Sequence, residues 1–91
     1  MEGHIYEASG KNYGITKIEH EVTLKYLQDI VGGYIQIIYL NDGDVMIINE
    51  EGKIDELPRN NMATKIYQKF LGHDGDFIVG TVLVTKSKYI T

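Results

Sequence analysis

Two spacings of hydrophobic residues alternate along the chain, and each spacing predicts a different structural element. Residues 24–31 place apolar side chains every three or four positions, which is typical of an amphipathic helix. These positions are Leu24, Leu27, Ile30 and Val31. Thr23 can cap the N-terminus of this helix, and Gly32 and Gly33 supply a left-handed stop.

Residues 63–70 repeat the helical spacing and predict a second helix. Its apolar stripe consists of Ala63, Ile66, Tyr67 and Phe70. Asn60 or Asn61 is placed to cap this helix, and Gly72 is placed to end it.

Residues 34–40 and 45–48 are rich in isoleucine, valine and tyrosine, which favour strands. They are joined by "NDGD", whose Asp42-Gly43 pair is typical of a tight hairpin, so an antiparallel pair is predicted here. In both strands, apolar side chains fall on both faces. A sheet covered on one face alone would alternate more cleanly.

Three further segments complete the predicted sheet. Residues 5–6 and 13–18 form short strands on either side of the turn-forming "SGKN" at residues 9–12. Residues 77–84, "FIVGTVLV", form a continuous apolar run, which predicts a buried central strand. Gly80 in its middle marks a bulge or the close approach of a helix, because glycine weakens a regular strand.

Together these elements predict one α+β domain over residues 1–91: a small, mostly antiparallel sheet of three to five strands with two helices packed on one face. The other face is also apolar and would then lack a cover. We therefore expect a homodimer or higher oligomer, formed through that open face or by edge-to-edge pairing of strands.

Composition limits the class of protein further. The 91 residues carry a formal net charge of -4, so the chain lacks the positive field of a protein that binds duplex nucleic acid. The absence of cysteine excludes disulfides and favours a reducing compartment. The first residues do not resemble a signal peptide, and no apolar run is long enough to span a membrane. We expect a cytoplasmic protein that does not bind membranes.

The motifs of common catalytic and metal sites are incomplete in this sequence. His4, His20 and His73 lack the spacing of a zinc site, so no metal and no other cofactor is expected. "ASGKN" lacks the first glycine and the final hydroxyl of a phosphate loop, and "NDGD" is not followed by the glutamate that ends a calcium loop. Neither serine has a nucleophile-elbow pattern around it. We therefore expect a protein that is not an enzyme.

The signals for binding are the seven tyrosines and the polar segment "NEEGKIDELPRN" at residues 49–60. Tyrosine offers a flat surface and a hydroxyl, which binding surfaces favour, although most of these tyrosines can equally complete a small core. The polar segment leads into the second helix, whose free N–H groups beside Lys53 and Arg59 could receive an anion. A solvated loop before a capped helix is the alternative.

The segments "VGGYIQIIYL", "NEEGKIDELPRN", Ala63-Thr64 and "DFIVGTVLV" resemble, in order and spacing, an uncharacterised family of small phage and bacterial proteins, a domain of unknown function. The resemblance covers about residues 23–84. Residues 1–22 fit it loosely as variable N-terminal strands, and residues 85–91 form a polar tail. The resemblance implies an α+β fold and an origin in phages, prophages or their hosts, but no activity.

We therefore expect a non-catalytic protein that captures a small anionic or nucleotide-like ligand at a subunit interface, in a role directed against host defence. Lys53, Arg59 and the helix N-terminus would meet the anion, and Tyr34 or Tyr67 would stack on a ring. The candidate ligand-binding residues are Tyr34, Asn49, Lys53, Arg59, Asn61, Thr64 and Tyr67. The alternative is a protein-interaction module that binds and modulates a host protein.

Overall fold

The fold is an antiparallel five-stranded sheet with two helices, seen in a computed structural model that describes residues 2–9, 12–17 (backbone), 22–71 and 75–90. The elements are β1 (Glu2–Tyr6), β2 (Asn12–Lys17), α1 (Leu24–Val31), β3 (Ile35–Tyr39), β4 (Asp44–Asn49), α2 (Asn61–Leu71) and β5 (Val82–Lys86). The strand order is β2-β1-β5-β4-β3, and every neighbouring pair is antiparallel. The predicted α+β class and antiparallel sheet are confirmed.

The two predicted N-terminal strands are present as β1 and β2, with Gly3 opposite Thr16 and His4 opposite Ile15. Several sequence predictions fall outside the described residues. These concern Gly10 and Lys11 of the predicted turn, Ile18 at the end of the second strand, His20, Gly72 and His73.

β5 is the central strand, as predicted, and it joins the β1–β2 hairpin to the β3–β4 hairpin. Its bounds differ from the predicted strand at residues 77–84. Val79 forms an isolated bridge with Arg59, and the regular strand runs from Val82 to Lys86, into the segment that was predicted as a tail. Gly80 causes the interruption, because its φ of 76° is a left-handed conformation that an extended strand does not contain. The group that approaches it is the side chain of Leu57 rather than a helix.

The two helices lie on opposite faces of the sheet, so the prediction that both pack on one face is wrong. The cluster under α1 consists of Leu27, Val31, Val45, Ile47 and Leu83, and the cluster under α2 consists of Met46, Ala63, Ile78 and Val82. Successive strand residues point to opposite faces, so β4 contributes alternately to the two clusters. Each apolar face thus has its own helix. In the part of the chain that the structure describes, the sheet therefore has no uncovered face through which the expected oligomer could form.

Both predicted ends of α1 are confirmed. The Thr23 hydroxyl oxygen accepts a hydrogen bond from the Tyr26 N–H at 3.1 Å, which caps the N-terminus. At the other end Gly32 has a φ of 82° and donates its N–H to the Gln28 carbonyl at 2.7 Å.

The β3–β4 hairpin also forms where the sequence predicts it. Its turn is the short 3-10 segment Asn41–Gly43, and the Leu40 N–H donates to the Asp44 carbonyl across it at 2.8 Å. Gly43 has a φ of 77°, which is the left-handed position that closes a three-residue hairpin loop.

Asn60 connects α2 to the centre of the sheet through its fully buried side chain. Its Oδ1 accepts a hydrogen bond from the Ala63 N–H at 3.0 Å, so Asn60 rather than Asn61 caps the helix. Its Nδ2 donates to the carbonyls of Tyr6, at 3.0 Å, and Gly80, at 2.8 Å. One amide therefore joins the end of β1, the start of α2 and the approach to β5.

Replacing Asn60 with alanine would remove the cap and take the amide donor away from two carbonyls, the buried one of Gly80 and the partly buried one of Tyr6. We expect Asn60→Ala to lower the free energy of unfolding by about 2 to 4 kcal/mol, measured by urea denaturation. The matched control is Asn61→Ala on the exposed neighbouring residue, for which a change within about 0.5 kcal/mol is expected. Equal losses for the two variants would contradict this role.

Candidate functional site

Two of the predicted ligand-binding residues use their side chains inside the fold. Asn49 is buried, and its Nδ2 donates to the Val31 carbonyl at 3.2 Å while its Oδ1 accepts from the Glu51 N–H at 2.9 Å. Thr64 is buried too, and its hydroxyl accepts from the Ile78 N–H at 2.9 Å and donates to the Ile78 carbonyl at 3.3 Å. These bonds tie α1 to the end of β4, and α2 to the segment before β5.

A cleft of about 160 Å³ opens on the α2 face of the sheet, where β3, β4, α2 and the segments 50–54 and 76–79 meet. The apolar and aromatic residues lining it are Ile38, Ile48, Ile54, Tyr67, Phe77, Ile78 and Val79. Its polar lining consists of Gln36, Asn49, Glu50, Lys53 and Asp76. Three predicted site residues, Asn49, Lys53 and Tyr67, are thus brought to one place.

Two cations lie over the aromatic ring of Phe77, which lines the cleft. The Lys53 ammonium nitrogen lies 4.4 Å from the centroid of the Phe77 ring, and the Arg59 guanidinium carbon lies 5.2 Å from it. Both separations are within the range of a cation–π contact, and they put the two cations within about 10 Å of each other. We call Lys53, Ile54, Arg59, Asp76 and Phe77 the Phe77 cluster. Lys53 and Arg59, both predicted to contact an anion, thus lie over the same ring, which comes from a distant segment.

The two cations differ in their partners. Lys53 forms a hydrogen-bonded ion pair with Asp76. This bond, with a second from the Phe77 N–H at 2.9 Å, holds the pKa of the Asp76 carboxyl below its usual range. Arg59, by contrast, is exposed and has no carboxylate partner among the residues that the structure describes. Arg59 is therefore the group in the cluster that is ready to meet an anion.

The remaining predicted site residues lie elsewhere. Asn61 is exposed as the first residue of α2. Tyr34 is 66% exposed and lines a separate, shallow depression. The acidic residues of that depression are Asp29, Glu51 and Asp55. Their negative charge opposes an anion there, and within one chain Tyr34 lies outside the cleft that Lys53 lines.

The sequence predictions missed Ile54, Asp76 and Phe77. Phe77 was assigned to a buried strand, but it is 39% exposed because the strand begins only after Gly80. Ile54 had a signal that could have been used, since it is the one large apolar residue in the polar stretch "EEGKIDE". An isolated isoleucine in such a loop has no helical or strand periodicity to bury it.

Among the residues that the structure describes, no group of three or more histidine, cysteine, aspartate or glutamate side chains is placed to hold a metal ion. No helix among these residues has the length and apolar character needed to cross a bilayer.

The fold and the cleft define a small α+β domain with an aromatic and cationic surface beside a narrow cavity. The family model described as Domain of unknown function (DUF3846) matches residues 2–89, and the chain belongs to this family. The match confirms the resemblance to an uncharacterised family and extends it beyond residues 23–84 to β1, β2 and the end of the sheet. No curated protein and no solved structure matches the chain.

The pairing of Lys53 with Asp76 predicts a titration that can be measured directly. Replacing Lys53 with glutamine would raise the pKa of Asp76 toward its usual value, because the largest cause of the lowered value is the hydrogen bond from Lys53. NMR titration of the Asp76 side-chain carboxyl would report it. Arg59→Gln is the control, and it should leave the Asp76 pKa lowered. Identical titrations in the wild type and Lys53→Gln would contradict the pairing.

The sign of the pH dependence follows from the lowered pKa. The ion pair between Lys53 and Asp76 makes its full contribution to the free energy of unfolding above the usual pKa of aspartate. This contribution is lost as the pH falls through the lowered pKa of Asp76. Asp76 is exposed, so solvent screening keeps this contribution small. The NMR titration is therefore the more sensitive measurement.

Proposed function

We propose that the protein is a non-catalytic interaction module that binds a partner protein through the Phe77 cluster. The observation that carries this proposal is the exposure of Ile54, which is 82% accessible beside the exposed Phe77. Every other isoleucine whose side chain the structure describes is at least partly buried. Ile54 and Phe77 line the same cleft, and an exposed apolar patch of this kind, as distinct from a single exposed side chain, can mark a surface that a partner covers.

The chemistry of the cluster supports a protein partner. Aromatic residues and arginine are enriched at the centres of protein interfaces, where they supply most of the binding free energy. The Arg59 guanidinium lies against the Phe77 ring, and this contact restrains its side chain before binding. Its planar donors suit a carboxylate. We therefore infer a partner segment that presents an apolar side chain next to an acidic one.

Three features favour a protein over the small anionic or nucleotide-like ligand expected from the sequence. The cleft volume of about 160 Å³ is below the roughly 300 to 1,000 Å³ of typical small-molecule sites, and the depression at Tyr34, at about 510 Å³, is large enough but carries acidic residues. Lys53 is already neutralised by Asp76. The aromatic Tyr34 lies in an acidic depression and not beside Arg59. Among the described residues, a small anion at the Phe77 cluster would therefore meet one unpaired cation, Arg59, and would be poorly enclosed.

The setting of this proposal comes from the family resemblance. An origin in a phage, a prophage or their host would place the partner in a bacterial cytoplasm. If the partner is a host defence protein, a module that covers part of its surface would block its action. The proposed function therefore includes a role against host defence.

The test is affinity enrichment from bacterial lysate with wild-type protein and two matched variants. Ile54→Asp places a charge at the centre of the proposed surface, and Leu24→Asp makes the same change on α1, where Leu24 is 59% exposed on the other side of the sheet. We expect a stoichiometric protein that the wild type and Leu24→Asp both recover. Ile54→Asp should reduce its recovery at least about tenfold, as for a residue at an interface hot spot.

Two outcomes would contradict the proposal. One is a recovered protein that Ile54→Asp and Phe77→Ala retain as well as the wild type does. The other is a nucleotide that raises the melting temperature of the purified protein with no protein recovered, which would favour the small-ligand hypothesis instead.

A further inference from the structure

The free edge of β3 lacks the features that usually protect an edge strand. Among the described strands β3 pairs with β4 alone, so its other side has no strand beside it. Natural edge strands are shielded by charged residues, proline or bulges. Residues 34–40, "YIQIIYL", contain no charge and no proline, and the β3–β4 register runs without a shift. This edge is therefore open to further pairing.

The hydrogen bonds at both ends of the hairpin show which backbone groups face outward. The Tyr34 carbonyl accepts from the Glu50 N–H at 2.8 Å, and the Leu40 N–H donates to the Asp44 carbonyl at 2.8 Å. In an antiparallel pair, hydrogen-bonded positions alternate along the strand, so the even-numbered residues of β3 bond to β4. The N–H and C=O groups of the odd-numbered residues, Ile35, Ile37 and Tyr39, point away from the sheet.

We propose that two copies of this chain join through β3, antiparallel, about a two-fold axis at Ile37. In this register Ile37 lies opposite Ile37 of the second copy, and Ile35 lies opposite Tyr39. Each outward-facing residue then exchanges both of its backbone hydrogen bonds with the residue opposite. The two sheets become one continuous sheet, and the arrangement is closed because each copy uses its single β3 edge.

The side chains fit the same register. On the α1 face Ile35 meets Tyr39 of the second copy, and on the α2 face Gln36 meets Ile38. Tyr39 is 58% exposed in the single chain, so pairing would cover an aromatic surface that is now in water. No charged side chain occurs in the paired segment, so the two copies do not repel each other along it. A single domain of 91 residues buries only a modest share of the surface that its unfolded chain exposes. Association with a second copy would increase the buried area.

The pairing has a consequence for the cleft. Gln36 and Ile38 line the cleft and belong to the paired strand. In the dimer, the same residues of the second copy lie directly beside them on the α2 face. The clefts of the two copies therefore adjoin across the axis, and each gains a wall from the other. This dimer does not depend on the proposed protein partner, because it rests on the edge of β3 alone.

A single cysteine tests the register, because the chain contains no cysteine of its own. Residues directly opposite in a hydrogen-bonded antiparallel pair have Cα atoms about 5.5 Å apart, which a disulfide can bridge. Ile37→Cys should therefore form a disulfide-linked dimer under mild oxidation. Gln36→Cys is the control, because its two copies are offset by two positions along the strand, and it should stay largely uncrosslinked.

A proline variant tests the edge itself. Tyr39→Pro removes an outward N–H that the fold does not use, whereas Tyr39→Ala keeps this N–H and removes only the side chain. Sedimentation equilibrium should show a dimer for the wild type and for Tyr39→Ala, and at least about a tenfold weaker dimer for Tyr39→Pro. Circular dichroism would establish that both variants are folded.

Three results would overturn the proposal. The first is a wild type that is monomeric at the highest concentration at which it stays soluble. The second is a dimer that crosslinks equally through Ile37→Cys and Gln36→Cys, which would exclude this register. The third is a monomer whose β3 amides become protected only when a partner protein is added, which would give the edge to a strand of that partner.

Discussion

A buried side-chain amide is stable only when its hydrogen bonds are made, and Asn60 meets this condition by drawing distant parts of the chain together. Its backbone N–H also donates to the Ile78 carbonyl at 2.8 Å. Arg59 immediately precedes Asn60, and Phe77 immediately precedes Ile78. The position of one buried residue therefore sets how Arg59 and Phe77 meet at the surface.

The parts of the fold that were predicted correctly have local chemical causes. The Thr23 cap, the Gly32 stop and the Gly43 turn each depend on a few adjacent residues. The faces on which the helices lie were not predictable in this way. Apolar residues on both faces of the strands are compatible with two arrangements: both helices on one face with the other face uncovered, or one helix on each face. Which arrangement forms depends on the side of the sheet to which each connection carries the chain. The bounds of β5 were wrong for a similar reason, since Gly80 is held by contacts with residues far along the chain.

The charged residues of the candidate site could be predicted from the sequence, but the aromatic ring that they both contact could not. Lys53 and Arg59 come from one polar segment, and their closeness followed from that. The ring that joins them comes from Phe77, after α2, and no local pattern links the two segments. Asn49 and Thr64 were misleading because side chains that can contact a ligand can equally satisfy buried backbone groups. Which use prevails depends on tertiary neighbours.

The central position of β5 affects the order in which the fold can be completed. Each hairpin consists of neighbouring segments and can form early, because short loops close at little entropic cost. The two hairpins join only when residues 82–86, which follow all the other described strands in sequence, insert between them. During synthesis on the ribosome, the inner edges of β1 and β4 are therefore exposed until residues 82–86 have emerged, and this interval is when the nascent protein is most open to mispairing.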